Sequence, residues 1–200
     1  MVMNYHNEML EIINNLDYRP KLLLHSCCGP CSTTVLSFLE SFFDIIVYYY
    51  NPNIEPVEEY EKRKNEQIRF IKEFNKPSIT FLEGLYENDK FRECSNGLEN
   101  ELEGGARCVS CFKLRLEETA LKAKELNCDY FGTTLTVSPH KNSKIINEIG
   151  KHLEEKYKIK FLYSDFKKKD GYKKSIILSK EYNLYRQDYC GCLFGRRNND

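Results

Sequence analysis

The sequence predicts an α/β fold: an open, mostly parallel five-stranded sheet with helices on both faces. Three observations carry that expectation. Short runs of β-branched and aromatic residues recur along the chain, clearest in FDIIVYYY at 43–50. Longer stretches between them show the apolar spacing of amphipathic helices. The strand runs also end in thiols, a histidine, asparagines or threonines. Open parallel sheets gather their ligands there, beyond the carboxyl ends of the strands.

Residues 4–15 carry Met9, Leu10, Ile12 and Ile13 at helical spacing, and Tyr18-Arg19-Pro20 breaks that helix. Residues 21–25 (KLLLH) form the first strand and deliver His25, Cys27, Cys28 and Cys31 into a Gly29-Pro30 turn. Ser32 is placed to cap a helix through about residue 40. The second strand, 43–50, ends in the turn Asn51-Pro52-Asn53. Pro56 suits the first turn of a helix over 55–74, where a missing N–H costs little. Pro77 leads into a third strand at 78–82. Residues 83–103 are acidic, contain glycine and lack periodicity. They are expected as an insertion over the sheet edge, reaching to about 107, with a short helix near 88–94. A helix over 109–126 follows, then a fourth strand at 129–135 ending in Thr133-Thr134. Ser138-Pro139 is expected to open a helix through about 157. A strand at 160–163, a helix at 172–182, a loop at 185–192 and a polar tail complete one domain over 1–200.

No apolar run is long enough to span a bilayer, and MVMNYHNEML lacks the basic-then-apolar pattern of a signal peptide. A cytoplasmic protein without membrane contact is expected. In a reducing compartment, closely spaced cysteines serve as metal ligands or catalytic thiols more often than as disulfides. Charge is uneven: residues 1–140 hold 15 Lys+Arg against 22 Asp+Glu, and 141–200 hold 15 against 8. The basic C-terminal region suits a polyanion, or is an ordinary solvated face.

Seven of the nine cysteines fall in three groups: Cys27, Cys28 and Cys31; Cys108 and Cys111; Cys190 and Cys192. Thiolates at i and i+3 can wrap one metal, and Gly191 clears the turn between the last pair. Cys27 and Cys28, adjacent on an extended backbone, are expected to diverge toward two neighbouring centres. Seven thiolates exceed the four that one cluster takes. Iron–sulfur is the first reading, with zinc or thiol–disulfide exchange beside it. Cys128 reads as a core residue and Cys94 has no assigned role. His25 is either a packing residue or a donor to a cluster sulfur. Arg186-Gln187-Asp188-Tyr189 reads as a buried polar stretch.

Five elements then resemble one family. They are His25-x-Cys27-Cys28-x-Pro30-Cys31-Ser32; Asn51-Pro52-Asn53-Ile54 with Pro56, Glu59-Tyr60 and Arg63; and Gly105-x-Arg107-Cys108-x-x-Cys111 with Arg115-Leu116. Thr133-Thr134-Leu135 with Ser138-Pro139 and Lys141 is the fourth. The last is Asp165-Phe166-Lys167-Lys168 with Gly171-Tyr172 and Ser175, followed by Tyr185-Arg186-Gln187-x-Tyr189-Cys190-Gly191-Cys192. In this order, from residue 21 to 192, they resemble the cobalamin-independent epoxyqueuosine reductase family, QueH.

The resemblance implies a core similar to the adenine-nucleotide α-hydrolases. It implies two-electron reduction of epoxyqueuosine in the tRNA anticodon loop, the last step to queuosine. It also implies a [4Fe–4S] cluster, a second mononuclear iron, no cobalamin, and an electron donor still to be identified. On that footing Cys27, Cys28, Cys108, Cys111, Cys190 and Cys192, with Cys31 as a seventh, are the expected ligands. His25, Asp188 and Tyr189 are the expected proton donors. Lys141, Lys144, Lys167, Lys168, Lys173, Lys174, Arg186, Arg196 and Arg197 are the expected phosphate contacts. Tyr172 and Tyr185 are candidate base stackers. Two other classes compete. An ATP-using tRNA thiolation enzyme of the same fold would want a Ser-Gly-Gly-x-Asp-Ser loop where HSCCGPCS stands. A zinc-stabilised RNA-binding module would hold metal without sulfide.

Overall fold

A computed structural model describes residues 4–195. The strands are β1 (Lys21–His25), β2 (Asp44–Tyr49), β3 (Ile79–Glu83), β4 (Tyr130–Thr133) and β5 (Lys160–Phe161). They form one sheet in the order β3-β2-β1-β4-β5, parallel throughout. The helices are α1 (Tyr5–Asn14), α2 (Gly29–Leu39), α3 (Val57–Phe74), α4 (Asn88–Ser95), α5 (Ala106–Glu125), α6 (Ser143–Tyr157) and α7 (Gly171–Glu181).

Side chains alternate across the sheet, and both faces are covered. Leu22, Leu24, Ile45 and Val47 pack with Met9 of α1, Val35 and Leu36 of α2 and Phe70 of α3. Leu23, Tyr48 and Phe131 pack on the other side with Leu116 and Ala120 of α5 and Ile146 and Ile149 of α6. Double coverage explains why the strands read as unbroken apolar runs. The chain lays down β1, β2 and β3 outward, then returns past β1 for β4 and β5. The strand order reverses between β1 and β4, which is where an open sheet leaves a crevice.

Several helices start elsewhere than expected. α2 begins at Gly29, three residues ahead of Ser32, so Gly29-Pro30 is its first turn and not a separate loop. Pro30 is tolerated there because the first turn has no use for its N–H. Ser32 lies inside the helix and donates its hydroxyl to the Gly29 carbonyl at 2.8 Å. α3 begins at Val57, after a cis Glu55–Pro56 peptide. α5 begins at Ala106, so both Cys108 and Cys111 lie within it. α6 begins at Ser143, not at 138–139, because Asn142 is its cap: the side-chain oxygen accepts from Lys144 N at 3.0 Å and Ile145 N at 3.4 Å. β4 stops at Thr133, ahead of a single 3-10 turn at Leu135–Val137, and β5 is two residues long. No helix among the described residues is long and apolar enough to cross a membrane. Arg196 and Arg197 lie outside the described residues.

Candidate metal centre

The end of β1 and the first turn of α2 build a compact group of thiols. The sulfurs of Cys27, Cys28 and Cys31 all lie within 4.8 Å of one another. Cys27 and Cys28 do not diverge as expected; their sulfurs stand 3.8 Å apart. Extended backbone ends at Cys28 (φ −172°, ψ 158°), and the immediate turn into α2 carries Cys31 back beside it. Two thiolates on one tetrahedral ion, bound at about 2.3 Å, stand about 3.8 Å apart. The triad therefore has the spacing of three ligands on a single ion.

The triad is electrostatically asymmetric. Hydrogen bonds from Cys28 and then Cys31 hold Cys27 well below the usual thiol range. Donating to Cys27 pushes Cys28 up to about 12 and raises Cys31 as well. Cys27 is thus the thiol of the triad that ionises first, while Cys28 and Cys31 hold their protons more tightly than a free thiol. Binding an ion must displace about two protons, so affinity should rise about hundredfold per pH unit between pH 6.5 and 8.5. Competition of the metal-free protein with a chelator for cobalt(II) measures that slope. A pH-independent affinity would contradict it. Gln187 adds an outer contact, donating Nε2–H to the Cys28 sulfur at 3.0 Å.

A second group forms alongside. Cys108 and Cys111, one turn apart on α5, meet Cys190 and Cys192 of the C-terminal segment across one small cleft. Cys111 and Cys192 pack against Phe91 of α4, and burial pushes Cys111 up to about 12. Gly104 donates its N–H to the Cys108 sulfur at 3.2 Å. Among the described residues only the triad closes to single-ion spacing. No three sulfurs of the quartet lie within 4.8 Å of one another. Cys94 lies half-buried beside Cys111 and Cys192, while Cys128 belongs to the core.

α3 carries the C-terminal segment to this place. Arg63 is buried; its Nε meets Glu59 at 2.6 Å, Nη1 donates to the Cys190 carbonyl at 3.0 Å and Nη2 to the Tyr189 carbonyl at 3.2 Å. Glu66 accepts the Tyr185 N–H at 2.7 Å, and Arg69 donates to the Tyr182 carbonyl at 3.0 Å. Gly191 sits at φ +135°, and its carbonyl accepts from Glu55 N at 2.9 Å. A Cβ there would lie 2.9 Å from Ile54 Cγ1, so the Cys-Gly-Cys turn needs glycine.

Other expected site residues fall differently. His25 was expected as a proton donor, but it is buried with both ring nitrogens engaged. Nδ1 meets Thr133 Oγ1 at 3.0 Å and Nε2 meets the Tyr50 carbonyl at 3.1 Å. The Tyr50 carbonyl can only accept, so Nε2 carries the proton, and in the neutral ring Nδ1 accepts from the Thr133 hydroxyl. Burial drops His25 to about 3. It ties β1 to β4 and to the residue that follows β2. Lys141, expected on phosphate, is half-buried; burial works against its charge, but Cys190, Cys27 and Cys31 outweigh that and raise its pKa. It therefore lies close to these thiols. Tyr189 donates its hydroxyl to the Glu55 carbonyl at 2.6 Å, and Asp188 is exposed. Lys144, Lys168, Lys173, Lys174 and Arg186 are exposed, and half-buried Lys167 reaches the Lys141 carbonyl at 3.1 Å. Tyr172 is exposed, while Tyr185 gives its hydroxyl to Glu59 at 3.1 Å. Arg63, Arg107, Arg115 and Gln187 are the site residues that spacing alone did not single out. Each stands next to, or one helical turn from, a cysteine or its holder.

The model of the family described as Epoxyqueuosine reductase QueH matches residues 22–198. Relatives carrying the name epoxyqueuosine reductase QueH align over most of the chain. That of Staphylococcus epidermidis is 46% identical over 199 residues, covering 96% of this chain and 84% of the relative. That of Streptococcus pyogenes serotype M1 is 45% identical over 193 residues, covering 95% and 76%. That of Thermotoga maritima is 38% identical over 176 residues, covering 86% and 88%.

Proposed function

The chain belongs to the epoxyqueuosine reductase QueH family, and from that premise we propose how its own residues serve the reaction. It is an oxidoreductase acting on epoxyqueuosine. The epoxide takes up two electrons and two protons, both of its C–O bonds break, and its oxygen leaves as water, giving the alkene of queuosine. An iron–sulfur cluster held here would supply electrons one at a time, and a single iron would supply a Lewis acid for the epoxide oxygen.

The observation that carries the assignment is the sorting of seven thiols into a tight triad and a wider quartet. Cys27, Cys28 and Cys31 hold the single iron. Cys108, Cys111, Cys190 and Cys192 hold the cluster. Gln187 orients Cys28 and lowers the basicity of its sulfur by an N–H bond. Lys141 supplies positive charge beside the triad and Cys190, where charge builds on the leaving oxygen. The neutral His25 fixes the carboxyl ends of three strands, so the triad keeps its spacing.

Anaerobic purification with metal and sulfide analysis tests this. About five irons and four inorganic sulfides per chain are expected, with turnover on tRNA carrying epoxyqueuosine. Zinc without sulfide would instead support the non-catalytic RNA-binding module.

The tRNA lies over the exposed lysines of the C-terminal region, with Tyr172 available to stack. Lys168→Ala with Lys169→Ala should weaken tRNA binding and flatten the plot of log affinity against log salt by about one to two units. An unchanged slope would remove this face from the interface.

A further inference from the structure

Two guanidinium groups line the cleft of the four cysteines, and neither forms an ion pair with a carboxylate among the described residues. Arg107 and Arg115 are each 1% exposed. Arginine ion pairs among the described residues involve Arg19, Arg63, Arg69 and Arg92, and neither of these two. Arg107 commits Nη1 to the carbonyls of Leu98, Glu99 and Glu101 at 3.2, 2.8 and 2.6 Å. Arg115 commits Nε to the Cys111 carbonyl at 3.2 Å. Arg107 Nε and Nη2, and Arg115 Nη2, are buried without a partner. Glu103 lines the cleft too, but it is exposed.

Arginine cannot shed its charge, and a buried cation left unpaired is costly. The rings of Phe194 and Phe112, 5.5 and 5.6 Å from the two guanidinium carbons, compensate only in part. The arrangement makes electrostatic sense once something anionic with several acceptor atoms fills the cleft.

We propose that Arg107 and Arg115 are the built-in counter-charge of the iron–sulfur cluster held by Cys108, Cys111, Cys190 and Cys192, donating their spare N–H groups to its sulfur atoms and holding its reduction potential up. This rests on the cluster reading above. Each electron added makes the centre more negative inside a poorly polarisable cleft. Two fixed cations lining the same cleft would favour that reduced state. They act through the cluster and are positioning residues.

A potential titration followed by visible absorbance or electron paramagnetic resonance tests the idea. Arg115→Met keeps the buried stem and removes the charge; Arg115→Lys keeps the charge and removes the fork. At the potential that half-reduces the wild-type cluster, Arg115→Met should lower the reduced-to-oxidised ratio about tenfold, a 59 mV drop for a one-electron couple. Arg115→Lys should lower it less. A ratio within twofold of wild type in Arg115→Met, with iron and sulfide retained, overturns the proposal. If Arg115→Met retains no cluster, thermal melts of the metal-free proteins decide. The counter-charge role requires metal-free Arg115→Met to melt at or above metal-free wild type, because an unanswered charge has gone. Melting below it marks a structural prop and overturns the proposal. Wild-type protein without iron and sulfide would sink the cluster reading itself, a separate and earlier result.

Discussion

Arg63→Met should destabilise the protein by about 3–5 kcal/mol and strip it of cluster iron without touching a thiol. The side chain is 1% exposed and pairs with Glu59, which is 12% exposed. Methionine leaves that carboxylate with less compensation in a poorly hydrated place. The same guanidinium holds the carbonyls of Tyr189 and Cys190, so the loop bearing Cys190 and Cys192 loses its anchor. Denaturant melts of metal-free protein report the stability loss. Iron and sulfide analysis reports the second effect, an expected fall of at least about tenfold in a preparation that still folds at low temperature. Arg69→Met is the control. Arg69 is 37% exposed in its pair with Glu66, and exposed pairs are worth about 0–1 kcal/mol. It should keep its iron. Equal losses from both substitutions would mean that the buried pair does not hold the segment.

That stripe on α3 shows why some of the site was legible in the sequence and some was not. The strands could be read because each is buried on both faces and announces itself as an apolar run. Leu22-Leu23-Leu24 faces two helical layers at once. Glu59, Arg63, Glu66 and Arg69 instead recur at helical spacing with opposite signs, the pattern of a solvated helix face. Only the return of the C-terminal segment buries Arg63. Helix starts were illegible for a local reason. Cys28 ends the extended backbone with no side-chain cap on α2, and Asn142 caps α6 where Ser138-Pro139 looked the better signal. Those starts matter beyond bookkeeping: beginning α2 at Gly29 converts Cys27 and Cys28 from a divergent pair into two corners of a triad. Buried arginines are rare enough that Arg107 and Arg115 read as family signature residues without a physical role. Lys141 sits in a basic stretch of sequence, which suggests phosphate. The fold turns it toward thiols.

The sorting of seven thiols into three and four makes a prediction that equivalent ligands would not. Cys31→Ser should lose about one iron per chain and keep all the inorganic sulfide, because the triad fits a single ion. Cys111→Ser should lose most of the iron and the sulfide together, because its thiol shares a cleft with Cys108, Cys190 and Cys192. Both should lower turnover on epoxyqueuosine-bearing tRNA by more than about 100-fold, the upper end of what losing an outer contact costs. Metal and sulfide counts on the two purified variants separate the outcomes before any assay is run. Serine keeps the volume of each side chain, so a folded but metal-poor protein is the expected product. Were Cys31→Ser to lose sulfide as fully as Cys111→Ser, the triad would belong to the cluster. The single-iron site would then have to be sought among the remaining four thiols.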